Sequence, residues 1–333
     1  MHRANLTIEC DAHASSILFD GPRANGIAYT QRGIARSAYA KREVILCAGA
    51  IDSPKLLQLS GLGDAAHLRS LGIAVKRHAP AIGANLQDHL CIDYVYRARV
   101  PTLNRTFGTW RGRIGAALQY AMSRDGPLSL SVNQGGGFVR SRDSLERPNI
   151  QLYFSPLSYT RAVPGVRALM KPDEFDGFLL SAQPCRPTSR GHVRIASRDA
   201  TMPPEIVASS LSTDNDVAEL IEGARLLRRL AATPALSAVI ESEIHPGPRT
   251  TTRDQILADI RQRASSVFHP VSTCRMGPDP LADVVDSQLR VHGIEALRVI
   301  DASIFPSVTS GNTNAPAMMV GEKGADLVLE DAR

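Results

Sequence analysis

Between Asp214 and Leu230, apolar residues return at helical spacing. Val217, Leu220, Ile221, Ala224, Leu227 and Leu230 form one stripe, and the intervening positions, Leu226 apart, are charged or small. The pattern predicts the strongest helix of the chain, with Asp214 or Asp216 as its cap. A second helix is expected over "TTRDQILADIRQRAS", and a third over "NAPAMMVGEKGADLVLE", where Pro316 falls in the first turn. Elsewhere the period shortens towards two. "LTIEC", "SSILF" and "GIAYT" read as strands, the last two divided by the turn "DGPRANG", and "NIQLYFSPL", "GFLLSAQPCR", "GHVRIAS", "LRVHG" and "ALRVIDAS" read likewise.

"SAYAKREVILCAG" adds a strand whose Val44–Leu46 run is apolar on both faces, which suits a strand inside a covered sheet. "SPKLLQLSG" follows as a helix, with Ser53 expected as N-cap, Pro54 at the first helical position and Gly61 as the stop. Residues 90–165 are mixed. An amphipathic segment lies near "RGRIGAALQYAMS", and "GPLSLSVNQGGGFVRS" is expected to loop past a site. "GLGDAA" (Gly61, Gly63, Ala66) satisfies a loose dinucleotide fingerprint, but it follows a helix instead of a strand. It reads as a helix stop and a turn.

Composition removes several function classes. The 38 Lys and Arg residues exceed the 33 Asp and Glu by five, yet they are scattered without interleaved aromatics. Nucleic-acid binding is not expected. Five cysteines with no C-x-x-C argue against a disulfide framework or a zinc site, and no metal centre is expected. The thiols read as buried and reduced, in a cytoplasmic setting. No run approaches the roughly 18–20 apolar residues of a membrane span, and the opening "MHRANLTIEC" lacks the apolar core of a signal peptide.

The motifs are more specific. "GAIDSPKLLQLSGLG" (49–63), "IGANLQDH" (82–89), "SRGHVRIAS" (189–197), "HPVSTCRMG" (269–277) and the closing "LRVHGIEALRVIDASIFPSVTSGNTNAPAMMVGEKGADLV" run in order along the chain. Together they resemble the glucose–methanol–choline (GMC) flavin oxidoreductases, the closing block being most like the choline and aliphatic alcohol dehydrogenase branch. Ser272 stands where the family more often has glycine. The resemblance implies an α/β (α+β) fold in two parts. Residues 1–92 and 265–333 would form an incomplete, Rossmann-like FAD-binding domain. Residues 93–264 would form a substrate domain on an antiparallel sheet flanked by helices. The family's G-x-G-x-x-G unit, at least about 30 residues, has no counterpart, so the chain reads as the C-terminal portion of such a protein.

Family chemistry implies the site. Oxidising an alcohol removes a proton from oxygen and a hydride from carbon, the hydride passing to flavin N5. The proton needs a base that titrates near the working pH. His269 matches the family's catalytic histidine, and Asn312 the partner that would bond the same substrate oxygen. Asp301 and Ala302, at the end of a strand, match flavin contacts. Asn314 and Ala315 open the last helix, whose positive mouth would favour charge on a reduced flavin. Ala14 occupies a position that is commonly valine and touches adenine.

The expected cofactor is FAD and the expected substrate a small primary alcohol, choline-like or neutral. Sparse aromatics, with Trp110 the single tryptophan, and the uncharged Asn133 and Gln134 in the glycine-rich stretch favour a neutral one. The electron acceptor would be a quinone or another carrier, and peripheral association with the inner membrane is compatible with this reading. Two other readings are an inactive fragment that does not hold FAD alone, and a hydroxynitrile lyase.

Overall fold

The computed structural model of the chain describes residues 3–160 and 171–331; the first two residues of the opening stretch, and 161–165 of the mixed stretch, lie outside it. Strands β1 (Ala12–Asp20), β2 (Arg23–Gln31) and β3 (Ile34–Tyr39) come first, and β4 (Val44–Leu46) leads into α1 (Gly49–Leu59). β5 (Leu90–Ala98), α2 (Trp110–Ser123), β6 (Gly135–Val139), β7 (Ile150–Ser155) and β8 (Gly177–Pro184) follow. Then come α3 (Asp214–Ala231), β9 (Ile240–His245), α4 (Arg253–Arg263), β10 (Leu297–Val299) and α5 (Asn314–Asp331). The mixture of helix and sheet agrees with the α/β class expected.

The chain divides into two compact units. One comprises Met1–Asp88, Thr188–Ser212 and Phe268–Arg333, the other His89–Pro187 and Thr213–Val267. The sequence placed 188–212 in the second part, but this segment packs with the first unit. Leu86 and Gly191 exchange backbone hydrogen bonds at 2.8 and 3.0 Å, and the Val193 N–H donates to Gly83 O at 2.7 Å. Gly83 is needed for that approach. Its φ is +84°, and a Cβ there would lie 2.1 Å from the Val193 carbonyl oxygen.

In the first unit, β1–β2–β3 form an antiparallel meander, and β4 pairs in parallel with β10, Val44 opposite Leu297 and Leu46 opposite Val299. Side chains from β1 (Ile17), α1 (Leu57), β10 (Leu297, Val299) and α5 (Val320, Leu327) close one hydrophobic cluster with Val271 and Cys274. Gly324 lets α5 settle onto the end of β10, since a Cβ there would lie 2.4 Å from Ile300 Cγ2.

β4 departs from expectation because Ile45 is exposed between buried Val44 and Leu46, so only one face of this strand is covered. "LTIEC" forms no strand, and Leu6 and Ile8 are exposed. The thiols also divide: Cys91, Cys185 and Cys274 are buried, but Cys10 and Cys47 are exposed.

The second unit is built on an antiparallel sheet of order β9–β5–β8–β7–β6, with Ser265–Ser266 pairing against the start of β5. β8 is buried over its whole length at the centre of the sheet, and of its two polar residues Ser181 and Gln183 the latter donates its side-chain amide to Gln151 Oε1 at 3.1 Å. α3 packs on β8 through the predicted stripe, and Gly223 allows close approach, an added Cβ there lying 3.2 Å from Ala182 Cβ. Its cap is Thr213, whose hydroxyl accepts from the Asp216 N–H, and neither predicted aspartate serves. The glycine-rich stretch is partly strand: Gly135–Val139 pairs antiparallel with β7 as β6, at the end of the sheet. Backbone pairing thus captures residues that composition alone assigned to a loop.

Candidate active site

α1 shows how the site is framed. It begins at Gly49, so Ser53 is not its N-cap and Pro54 sits inside the helix. Proline has no N–H to give the carbonyl four residues back, and its ring pushes that carbonyl aside. The carbonyl belongs to Ala50. It accepts instead from the Thr273 hydroxyl at 2.6 Å, in buried surroundings. Thr273 lies in the "HPVSTCRMG" segment, so the substitute donor also fastens the His269 loop to α1. Ser53 turns its hydroxyl to Asp301 Oδ2 at 2.6 Å and receives the Ala48 N–H at 3.1 Å.

The His269 loop is held from the other side by "IGANLQDH". Gln87 and Val271 exchange backbone hydrogen bonds, and the Gln87 side chain accepts from the Val308 N–H at 2.9 Å. Asp88 Oδ1 accepts from the His269 N–H at 2.8 Å. The backbone is strained beside the histidine: Phe268 has φ +63° and Ser272 φ +73°, both in the left-handed region. This explains the family's preference for glycine at 272. The serine is fully buried, and its hydroxyl finds no hydrogen-bond partner. Phe268 is 86% exposed beside the histidine, a feature that the sequence reading passed over.

These constraints bring His269 and Asn312 together across 43 positions of sequence. Asn312 Nδ2 lies 3.2 Å from His269 Nε2, and as donor it requires Nε2 to carry no proton. His269 is buried, and desolvation pushes its pKa below the ordinary value; the Asp88 carboxylate offsets this only in part. Burial thus favours the neutral form of the imidazole.

The other predicted residues separate into two groups. Asn314 and Ala315 are exposed at the mouth of α5, two and three positions beyond Asn312; the first intrahelical bond there is Ala317 N–H to Thr313 O. Their own amides head a helix and are open to a ligand. Asp301 closes β10, but its carboxylate accepts from the Gly49 N–H, the Ser53 hydroxyl and the Ser303 N–H at 2.9, 2.6 and 2.8 Å. Its side chain ties α1 to the strand end. Ala302 is half-buried, and its carbonyl accepts from the Ser272 N–H. Ala14 lies on β1, partly buried against the hydrophobic cluster, outside the bonding that links 87, 269 and 312. Gln87, Asp88 and Thr273 went unassigned in sequence although their motifs were visible; hydroxyl and amide side chains inside buried motif segments were the available signal.

Cys47 and Ala48, exposed at the carboxyl end of β4, Asp301 at that of β10, and the α5 mouth lie where α/β sheets receive ligands. A cavity of about 720 Å³, lined by Arg23, Lys41, Arg42 and Arg298 among others, lies at the opposite, amino ends of β4 and β10 and includes no residue of this site. Among the described residues no group of three or more His, Cys, Asp or Glu could hold a metal ion.

A buried imidazole with an amide 3.2 Å away thus lies near the carboxyl ends of parallel strands, the end at which α/β scaffolds receive ligands. Family models described as GMC oxidoreductase match residues 1–91 and 187–321. The oxygen-dependent choline dehydrogenase of Paraburkholderia phytofirmans is 39% identical over 98% of this chain and 57% of its own length. The alcohol dehydrogenase [acceptor] of Pseudomonas putida is 39% identical over 98% and 58%. Among solved structures, a variant of the Aspergillus oryzae formate oxidase, studied for its FAD modification, superposes with a TM-score of 0.87 at 25% identity, covering 96% of this chain and 60% of that one. The chain belongs to the GMC oxidoreductase family. It spans between half and two thirds of the length of these relatives.

Proposed function

We propose that the protein takes part in FAD-dependent oxidation of a CH–OH group, with His269 as the base. The carrying observation is the His269–Asn312 pair: a buried imidazole whose Nε2 lies 3.2 Å from the Asn312 amide nitrogen. A hydroxyl entering between them would lose its proton to Nε2 while its oxygen accepts from Nδ2, so that charge forming on oxygen meets a fixed donor. The residues fit FAD in one respect open to inspection: the exposed amides of Asn314 and Ala315 head an 18-residue helix beside this pair, a setting that favours an anionic group. Bound there, FAD supplies the hydride acceptor. Ala302 offers backbone contacts to it, and Asp301 acts by holding Gly49 and Ser53 in place. Ala14 remains our candidate for the adenine end.

The substrate we infer is a neutral aliphatic alcohol. In the second unit, Leu103, Phe107, Leu128, Leu130, Val132 and Gln134 help to line an apolar cavity of about 360 Å³. Among its described lining residues there is no carboxylate, and the charged Arg113 would repel a quaternary ammonium.

The test is anaerobic mixing of the FAD-loaded protein with a short-chain alcohol, following loss of the yellow colour. His269→Ala should retain FAD in equilibrium dialysis and bleach at least about 100-fold more slowly. Equal bleaching removes His269 from the chemistry. Absence of micromolar FAD binding by the chain itself means that it does not hold the cofactor alone.

A further inference from the structure

α2 leaves most of its surface uncovered. Of its 14 residues only Ala116 is buried. Its large apolar side chains are turned outwards: Trp110 is 67% exposed, Ile114 51%, Leu118 56% and Met122 80%. At about 100° per residue these four fall within about 120° of arc, centred opposite Ala116. Ala117 and Ala121, also exposed, lie on the same side. The turn Pro127–Ser129 packs against α2, with its Leu128 and Leu130 belonging to the cavity described above and not to this face. Such a contiguous patch marks an interaction site.

The charges select the partner. α2 carries Arg111 and Arg113 and no acidic residue, and Arg124 follows it directly; Asp125 is the one carboxylate between Trp110 and Leu130. The Arg111 guanidinium lies 5.4 Å from the centre of the Trp110 ring and Arg124 5.1 Å from that of Tyr120, so both cations accompany the aromatic groups at the surface. Two copies docking through this face would oppose arginine to arginine. A surface that is apolar beneath and anionic above satisfies both halves of the pattern. The helix is about 21 Å long, suited to lying in the plane of such a surface, with Trp110 at one end as an interfacial anchor. We propose that α2 docks the protein on bilayers containing anionic lipid. This stands independently of the oxidation chemistry above.

Trp110 is the sole tryptophan of the chain, so intrinsic fluorescence reports on α2 itself. The full chain is titrated with vesicles of phosphatidylglycerol and phosphatidylcholine mixed equally, and with vesicles of phosphatidylcholine alone. The expected result is a blue shift of Trp110 emission and quenching by brominated lipid with the mixed vesicles, at least about tenfold weaker in 0.5 M salt. The double variant Leu118→Glu/Met122→Glu, on exposed positions with circular dichroism as the folding check, should lower partitioning by about 100-fold or more. Arg111→Gln/Arg124→Gln keeps the apolar face and should lose most of the preference for phosphatidylglycerol. Unchanged emission with the mixed vesicles overturns the proposal, as does a glutamate variant that binds like the parent. A dimer in sedimentation velocity that dissolves in the glutamate variant would assign the face to a second copy.

Discussion

Replacing Thr273 by valine keeps the shape of the side chain and removes one hydroxyl. In the structure that hydroxyl is the donor to Ala50 O at 2.6 Å, a carbonyl that Pro54 leaves without its helical partner. Thr273 is fully buried and Ala50 nearly so, so water cannot readily take over. An unsatisfied buried carbonyl costs about 1–3 kcal/mol, and the near-isosteric replacement adds little cavity penalty. Thr273→Val should therefore lower stability by that amount, read as a lower urea midpoint at unchanged slope. A second substitution isolates the cause. Pro54→Ala restores an N–H four residues after Ala50, and in that background Thr273→Val should cost less than half as much. The coupling of the two positions should then lie within the usual range of about 0.5–3 kcal/mol. If Thr273→Val costs the same with either residue at 54, the hydroxyl is not replacing the missing helix donor and the account of α1 fails.

Ser272→Gly should stabilise by about 1 kcal/mol or more, read by thermal melting, because it relieves a left-handed backbone and deletes a buried hydroxyl without a partner. His269 carries a depressed pKa, so kcat/KM of the FAD-loaded enzyme should be flat above about pH 6.5 and fall on the acid side, with an apparent pKa below that of a free histidine. The same depression means that the unfolded chain binds the extra proton more readily. The stability tied to neutral His269 is present above about pH 6.5 and is lost as pH falls through its folded pKa, and His269→Gln should flatten that slope in urea titrations. Asp301→Asn should lower the melting temperature of the protein without cofactor, by about 1–3 kcal/mol in stability, since it disturbs bonds to Gly49, Ser53 and Ser303. An unchanged melt would show that those bonds carry nothing.

Periodicity located the elements that bury a continuous face. The stripe from Val217 to Leu227 and the mostly apolar β8 could be read directly, because burial favours those patterns. Boundaries were harder wherever a distant group altered the local rule. Pro54 signals a helix start when only its neighbours are considered; with the Thr273 hydroxyl available, it sits five residues inside. Thr213 outcompeted Asp214 and Asp216 as a cap, a choice set by backbone geometry and not by residue type. At the site, His269 and Asn312 were recognisable through motif resemblance, but no periodicity joins positions 43 apart. The roles of Gln87 and Asp88 emerge only once the segment 86–88 lies against 269–271.

Gln87 grips both strips of chain that carry His269 and Asn312. Its backbone pairs with Val271, two residues past the imidazole, and its amide oxygen receives Val308, four residues ahead of Asn312. The loops that carry His269 and Asn312 are thus mounted on a common bracket, so that a shift of one is coupled through a single side chain and its backbone to the other.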